Sequence, residues 1–254
     1  MNRPLILVTN DDGIAAPGIA ALAEALEALG EVWVYAPDRE QSAVGHGISL
    51  HRPLRIRQLK KRWFLVDGTP TDCIMLAVHG HLDRPPDLVV SGINNGANLG
   101  DDVTYSGTVA GAHEGMLLGF PSLAISNVSF TPEHFDATAK VARYLAAHLL
   151  EQGLPEDTLL NVNVPDLPYS ELTGIEITRM GRGAYNVDIV ERKDPRGVEY
   201  YWIGGSQPTE RSEVGSDFEA IDRGIISVTP LHRDFTNRTA LDILKQRNLS
   251  IPPG

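Results

Sequence analysis

Asp11 and Asp12 stand side by side in the segment Asn10-Asp11-Asp12-Gly13, immediately after the apolar run Leu5 to Thr9. Two hard anionic carboxylates in one loop suit a cation the size of magnesium or manganese. On residue type alone a plain Asp-Gly turn is an equal rival, because both residues are ordinary in turns. A second candidate stretch runs from Ser91 to Asp102 and holds Asn94, Asn95 and Asn98, together with Asp101, Asp102 and several glycines. Its amides can hydrogen-bond a ligand, and its glycines let backbone N–H groups come close to one, although a solvated loop uses the same residues. The third is Ser106-Gly107-Thr108, ahead of a helical pattern from Thr108 to Leu118. Hydroxyls and free amides meet there at a helix N-terminus, where the dipole favours an anion such as phosphate; an N-cap alone explains the same residue types.

Other chemistries lack their motifs. The chain has no G-x-x-x-x-G-K-[ST], no G-x-G-x-x-G after a strand, no H-E-x-x-H and no G-x-S-x-G, which weakens readings as ATPase, dehydrogenase, zincin or serine hydrolase. Cys73 is the single cysteine, so it can form no internal disulfide or cysteine-based zinc site and reads as a small buried apolar residue. His79 and His81 have no further ligands beside them and read as surface residues. With 33 acidic against 22 basic side chains the net charge is −11, which opposes binding to long nucleic acids. The basic run Arg52, Arg55, Arg57, Lys60, Lys61 and Arg62, interleaved with Leu54 and Ile56, reads first as the charged face of a strand and second as an anion-steering patch.

These residues need elements to hold them. Leu5 to Thr9 reads as a strand; Pro17 opens a helix whose apolar residues Ile19, Leu22, Ala23, Leu26 and Leu29 repeat at helical spacing, and Gly30 is placed to end it. Val32 to Ala36, Asp87 to Ser91 and Ser122 to Ser126 are further short apolar strands, with helical patterns over Thr71 to His79, Thr108 to Leu118 and Phe135 to Leu150. Alternating strands and helices predict an α/β, Rossmann-like, mostly parallel sheet with helices on both faces, and ligands in such sheets bind beyond the carboxyl ends of the strands. That rule gathers Asn10 to Gly13, the loop Pro37 to Gly47 and the loop Gly92 to Gly107. From Leu160 onward the pattern turns strand-like, over Leu160 to Val164, Gly174 to Met180 and Glu199 to Ile203, with turn chemistry at Pro195-Arg196-Gly197. We read 1–254 as one domain, with extended β arms and a C-terminal helix within about 165–254. Tyr200-Tyr201-Trp202 suits a subunit contact or a buried hairpin face equally. Pro4 to Thr9 is far too short for a membrane span of roughly 20 residues and lacks a signal-peptide flank, so a soluble cytoplasmic protein with no membrane partner is expected.

The chain resembles the SurE (survival protein E) family of bacterial and archaeal 5′/3′-nucleotidases. The likeness rests on Ile6-Leu7-Val8-Thr9-Asn10-Asp11-Asp12-Gly13 with Ala16-Pro17-Gly18-Ile19, on Ala36-Pro37-Asp38-Arg39 leading to Ser42, and on Gly68-Thr69-Pro70-Thr71-Asp72-Cys73. It continues through Pro86 to Asn94, Asn98 to Val103, Tyr105 to Val109, Asn161 to Pro165 and Ile226 to Leu231. The resemblance implies a phosphomonoesterase acting on nucleoside monophosphates, with one divalent cation, Mg²⁺ or Mn²⁺, per subunit. It implies Asp11, Asp12, Ser42 and Asn94 as metal ligands, and homodimers or homotetramers built through the C-terminal arms. Short polyphosphate is a further substrate associated with the family. On that basis Asp11 and Asp12 are the candidates to orient or deprotonate water, and Asn10, Asn98, Ser106, Gly107 and Thr108 the candidates to hold phosphoryl oxygens. Two rivals stay open at this level: an aspartyl nucleophile and a nucleotide or metal sensor without turnover.

Overall fold

The computed structural model describes residues 3–183, 187–205, 213–247 and 251. The chain opens with β1 (Leu5–Thr9), every residue of which is buried. Ile6 and Val8 enter one core while Leu7 enters another on the opposite face, the double-sided burial that makes a central parallel strand read as a continuous apolar run. α1 (Pro17–Leu26) follows, with Pro17 in its first turn and Ile19, Leu22, Ala23 and Leu26 buried. It stops before Gly30, whose N–H reaches back to the Leu26 carbonyl at 3.3 Å. Gly30 instead permits a close approach: a Cβ there would lie 2.3 Å from the Pro4 carbonyl oxygen.

Next come β2 (Glu31–Pro37), the antiparallel edge pair β3 (Ile56–Lys60) and β4 (Trp63–Val66), and α2 (Pro70–Leu76), which a Thr69/Asp72 capping box opens and a π-turn over Ala77–His81 extends. The chain then crosses to β5 (Leu88–Asn95), α3 (Gly107–Leu117), β6 (Ser122–Asn127), α4 (Phe135–Gln152), β7 (Thr158–Val164), β8 (Ile175–Ile177), β9 (Val187–Lys193), β10 (Glu199–Gly205), α5 (Asp217–Asp222), β11 (Ile226–His232) and α6 (Arg238–Gln246). The main sheet has the order β3-β4-β2-β1-β5-β6-β7-β11-β8, with antiparallel pairing at β3/β4 and β11/β7 and parallel pairing elsewhere. α1 and α4 cover one face and α2 and α3 the other. From β1 the chain winds outward through β2 to β4, then returns to β5 on β1's other side. The strand order therefore reverses at β1, and a crevice opens beyond the ends of β1 and β5.

The later half differs from a set of arms. β7, β8 and β11 extend the central sheet, and the strand read over Gly174 to Met180 is only Ile175–Ile177, because neighbouring residues turn into loop contacts with α5. β9 and β10 form a separate ribbon around the turn at Pro195-Arg196-Gly197. Parts of the 165–254 region lie outside the described residues. The basic run forms β3 and its flanks as a solvated edge: Arg52 and Arg55 pair with Asp67 and Arg62 with Glu31, which uses those cations within the fold. Among the described residues no helix is long and apolar enough to cross a membrane.

Candidate active site

β1 delivers Asn10, Asp11 and Asp12 into the crevice. Asp11 is 4% exposed and lies against the N-terminus of α3. The Thr108 hydroxyl donates to its Oδ1, and a Cβ on Gly107 would lie 2.8 Å from the Asp11 Cβ, so only glycine lets the helix end come this close. Burial raises the Asp11 pKa, while the hydroxyl and backbone N–H of Thr108 oppose the rise. The segment Ser106-Gly107-Thr108 thus faces an anion, but that anion is a carboxylate of the same chain. The Ser106 hydroxyl oxygen caps α3 by accepting from the Val109 N–H at 3.0 Å.

Asp12 is half-buried and accepts from the Asn95 N–H at 3.2 Å. Burial first, then the Asp11 charge, pushes its pKa up to about 6, with Glu40 adding to the rise. Two strand ends meet the pair. The loop after β2 brings Ser42, because the Gln41 N–H bonds the Asp11 carbonyl at 2.7 Å. The end of β5 brings Asn94, past a bulge between Gly92 and Asn94 that re-aims side chains along the strand. The Asn94 amide nitrogen donates to the Gly96 carbonyl at 2.8 Å, and among the described residues its oxygen has no donor. The Ser42 hydroxyl donates to Glu40 at 2.8 Å and keeps lone pairs to offer. Glu40 is a residue beside the acids that residue typing had passed over. Glu40 sits two positions before Ser42, and that spacing was the one available signal.

The loop after β5 is held from behind. Asn98 is 5% exposed; its N–H donates to Asn163 Oδ1 at 2.8 Å and its amide nitrogen to Ser126 at 2.7 Å. The side-chain amides of Asn161 and Asn163 donate to its carbonyl at 2.8 and 3.1 Å, and the Gly100 N–H donates to buried Asp217 at 2.8 Å. Asn98 therefore serves here as an anchor for the loop that carries Asn94. Asn10 is fully buried; its amide nitrogen donates to the Gly13 carbonyl at 3.0 Å.

The donor set fits a hard divalent cation. Among the described residues neither Asp11 nor Asp12 has a Lys or Arg partner, and the buried side-chain oxygens of Asn10 and Asn95 have no donor. A positive ion would satisfy what these oxygens lack. No group of three or more His, Cys, Asp or Glu is arranged to hold a metal among the described residues. Among the described residues, further donors to a cation at Asp11 and Asp12 would be neutral oxygens, of the kind Ser42 and Asn94 offer.

A mostly parallel central sheet with helices on both faces and two adjacent acids at its switch point defines an α/β protein of the Rossmann-like class. The chain matches the family model described as Survival protein SurE over residues 6–187. It is 56% identical over 246 residues to the 5′-nucleotidase SurE of Geobacter sulfurreducens, covering 96% of this chain and 94% of that protein. Against the 5′-nucleotidase SurE of Geotalea daltonii the identity is 54%, covering 95% and 98%. The crystal structure of SurE protein from Aquifex aeolicus superposes with a TM-score of 0.86 at 46% identity, covering 96% of this chain and 99% of that one. The chain belongs to the SurE family.

Proposed function

We propose that this protein is a divalent-metal-dependent phosphatase that hydrolyses nucleoside 5′-monophosphates to nucleoside and phosphate, and that 3′-monophosphates and short polyphosphate are further substrates. The observation that carries the reading is the pair Asp11–Asp12, set at the switch point without a cationic side chain among the described residues to neutralise it. The relatives bear the name 5′-nucleotidase, which supplies the substrate class. A role limited to binding is not favoured for the same reason.

One Mg²⁺ or Mn²⁺ per subunit, held by Asp11, Asp12, Ser42 and Asn94, would offset phosphate charge and lower the pKa of a water. Asp11, gripped by Thr108, and Asp12, tied to the Asn95 N–H, are the two candidates to orient the water or take its proton. In the hydrolysis a water oxygen bonds to phosphorus as the bond from phosphorus to the nucleoside's ester oxygen breaks, and the proton the water loses ends on that departing oxygen, giving nucleoside and phosphate. Asn10 and the backbone amide of Gly107, at the first turn of α3, are assigned to the phosphoryl oxygens. Ser106, Thr108 and Asn98 act there by holding the helix end, Asp11 and the Asn94 loop in place.

The working form we assign is a homodimer or homotetramer in the cytoplasm, joined through the β9–β10 ribbon and α6, where Trp202 is 65% and Ile203 81% exposed. Phosphate release from a panel of nucleotides, with Mg²⁺ or Mn²⁺ and then with EDTA, tests the function. Release that stops with EDTA and returns with the metal supports it; release indifferent to chelation overturns it.

A further inference from the structure

The loop that carries Ser42, residues 38–50 between β2 and β3, has no regular structure, and Ala43 within it takes a left-handed φ of 57°. A non-glycine residue in that region costs free energy, so the surroundings must hold the loop in this shape. Its backbone is tied to other elements at four points by N–H donors: Asp38 to the Val66 carbonyl at 2.8 Å, Gln41 to the Asp11 carbonyl at 2.7 Å, Gly45 to the Tyr105 carbonyl at 2.9 Å, and Ser49 to the Asp72 carboxylate at 2.9 Å. Among the described hydrogen bonds only one of its side chains reaches out of the loop. That side chain is His46, whose Nε2 lies 2.8 Å from Oε2 of Glu114 on α3.

Glu114 is 8% exposed, and among the described residues the side chain that reaches its carboxylate is His46. A carboxylate in such a place needs a donor, so the contact stabilises α3 as well as the loop. On the imidazole's other side His113 Nδ1 lies 3.1 Å from His46 Nδ1, with the two rings edge to face at 4.9 Å. Nε2–H donates to Glu114 and Nδ1 accepts from His113, which sets both the tautomer and the plane of His46. The same helix grips Asp11 through Thr108, six residues earlier.

We propose that His46 and Glu114 are positioning residues that latch the Ser42 loop to α3, so that one helix sets the placement of both Asp11 and Ser42. The latch rests on the metal-site reading above. It predicts that metal binding depends on a contact made by two side chains that are not themselves ligands: partners that orient metal ligands typically contribute tenfold or more to affinity.

The test is titration of metal-free full-length protein with Mn²⁺, following the free ion by electron paramagnetic resonance, for wild type, His46→Ala, His46→Gln and Glu114→Gln. The expected result is a Mn²⁺ dissociation constant raised about tenfold in His46→Ala. Recovery to within about threefold of wild type is expected in His46→Gln, whose amide N–H can still reach Glu114. Glu114→Gln should fall between them. Circular dichroism and melting temperature show whether each variant is folded at the assay temperature, and His46→Gln with Glu114→Gln carries the test if the alanine variant is not. Wild-type affinity in the folded His46 and Glu114 variants overturns the latch while leaving the metal site standing. A wild-type protein that binds no Mn²⁺ overturns both.

Discussion

Around β1 and α3 the apolar side chains face inward and the polar ones are turned toward one another; along β9, β10 and α6 the apolar side chains face out. Ile6, Leu7 and Val8 are at 0% exposure, whereas Ile203 is at 81%, and Ile243 and Leu244 on α6 are at 47% and 45%. α6 has no buried residue at all. Each region lacks a partner of a different kind. The crevice has settled its apolar groups and wants positive charge, while the ribbon and α6 have settled their backbone hydrogen bonds and want apolar cover. On the reading proposed above, a cation would answer the first need and a second copy of the chain the second.

The contrast can be broken first at the carboxylates. Asp11→Asn or Asp12→Asn is expected to lower kcat for AMP on the order of 100- to 1,000-fold or more, with the oligomer unchanged by gel filtration. A variant with near-wild-type turnover would remove the crevice from the chemistry. The next largest effect separates the two regions by stability. Leu22→Ala, at 0% exposure under α1, should cost about 2–5 kcal/mol in urea unfolding, whereas Ile203→Ala should change the chain's own stability by less than about 0.5 kcal/mol. Ile203→Asp or Trp202→Asp should instead shift the assembly toward smaller species by sedimentation. A ribbon variant that unfolds the chain and leaves assembly alone reverses the contrast.

Thr108→Val, which keeps the shape and removes the donor to Asp11, is expected to destabilise the protein by about 1–3 kcal/mol if Asp11 stays charged and unsatisfied. The smallest effect is the pH dependence of Asp12. Its folded pKa of about 6 lies above the ordinary 3.8, so between these values the folded chain holds a proton that the unfolded chain has lost. Metal-free stability should therefore fall as pH rises through that window, relative to Asp12→Asn. Since the cation takes the ionised form, Mn²⁺ affinity should climb over the same window and level off above it. Equal pH profiles for wild type and Asp12→Asn would remove the coupling.

β1, α1, β2, β6 and α4 were legible because each buries a face or a whole strand, and burial writes a period into the local sequence. β9 was not, because a ribbon standing clear of the core leaves Ile189 and Val190 among charged neighbours with no buried face to mark. Asp11 and Asp12 could be seen as a pair from residue type and Asn94 as one of several ligand-binding amides, whereas Ser42 came only with the family resemblance, since one serine in a loop carries no signal of its own. The segment Ser106-Gly107-Thr108 was legible as a helix end, while the approach of Asp11 to that end was not.

From residue order alone the chain specifies an alternating α/β protein with two acids after its first strand and no cysteine or nucleotide-loop chemistry. These are properties of neighbours along the chain, where periodicity and turn preference act. The approach of Gln41 to Asp11 and of Asn95 to Asp12, the use of Asn98 as an anchor, and the meeting of His46 with Glu114 across 68 positions came from the folded molecule. Such contacts depend on how strands and helices pack. The perturbed ionisation of Asp11 and Asp12 depends on that packing too, because both burial and the distance between charges are set only when the sheet and α3 close around them.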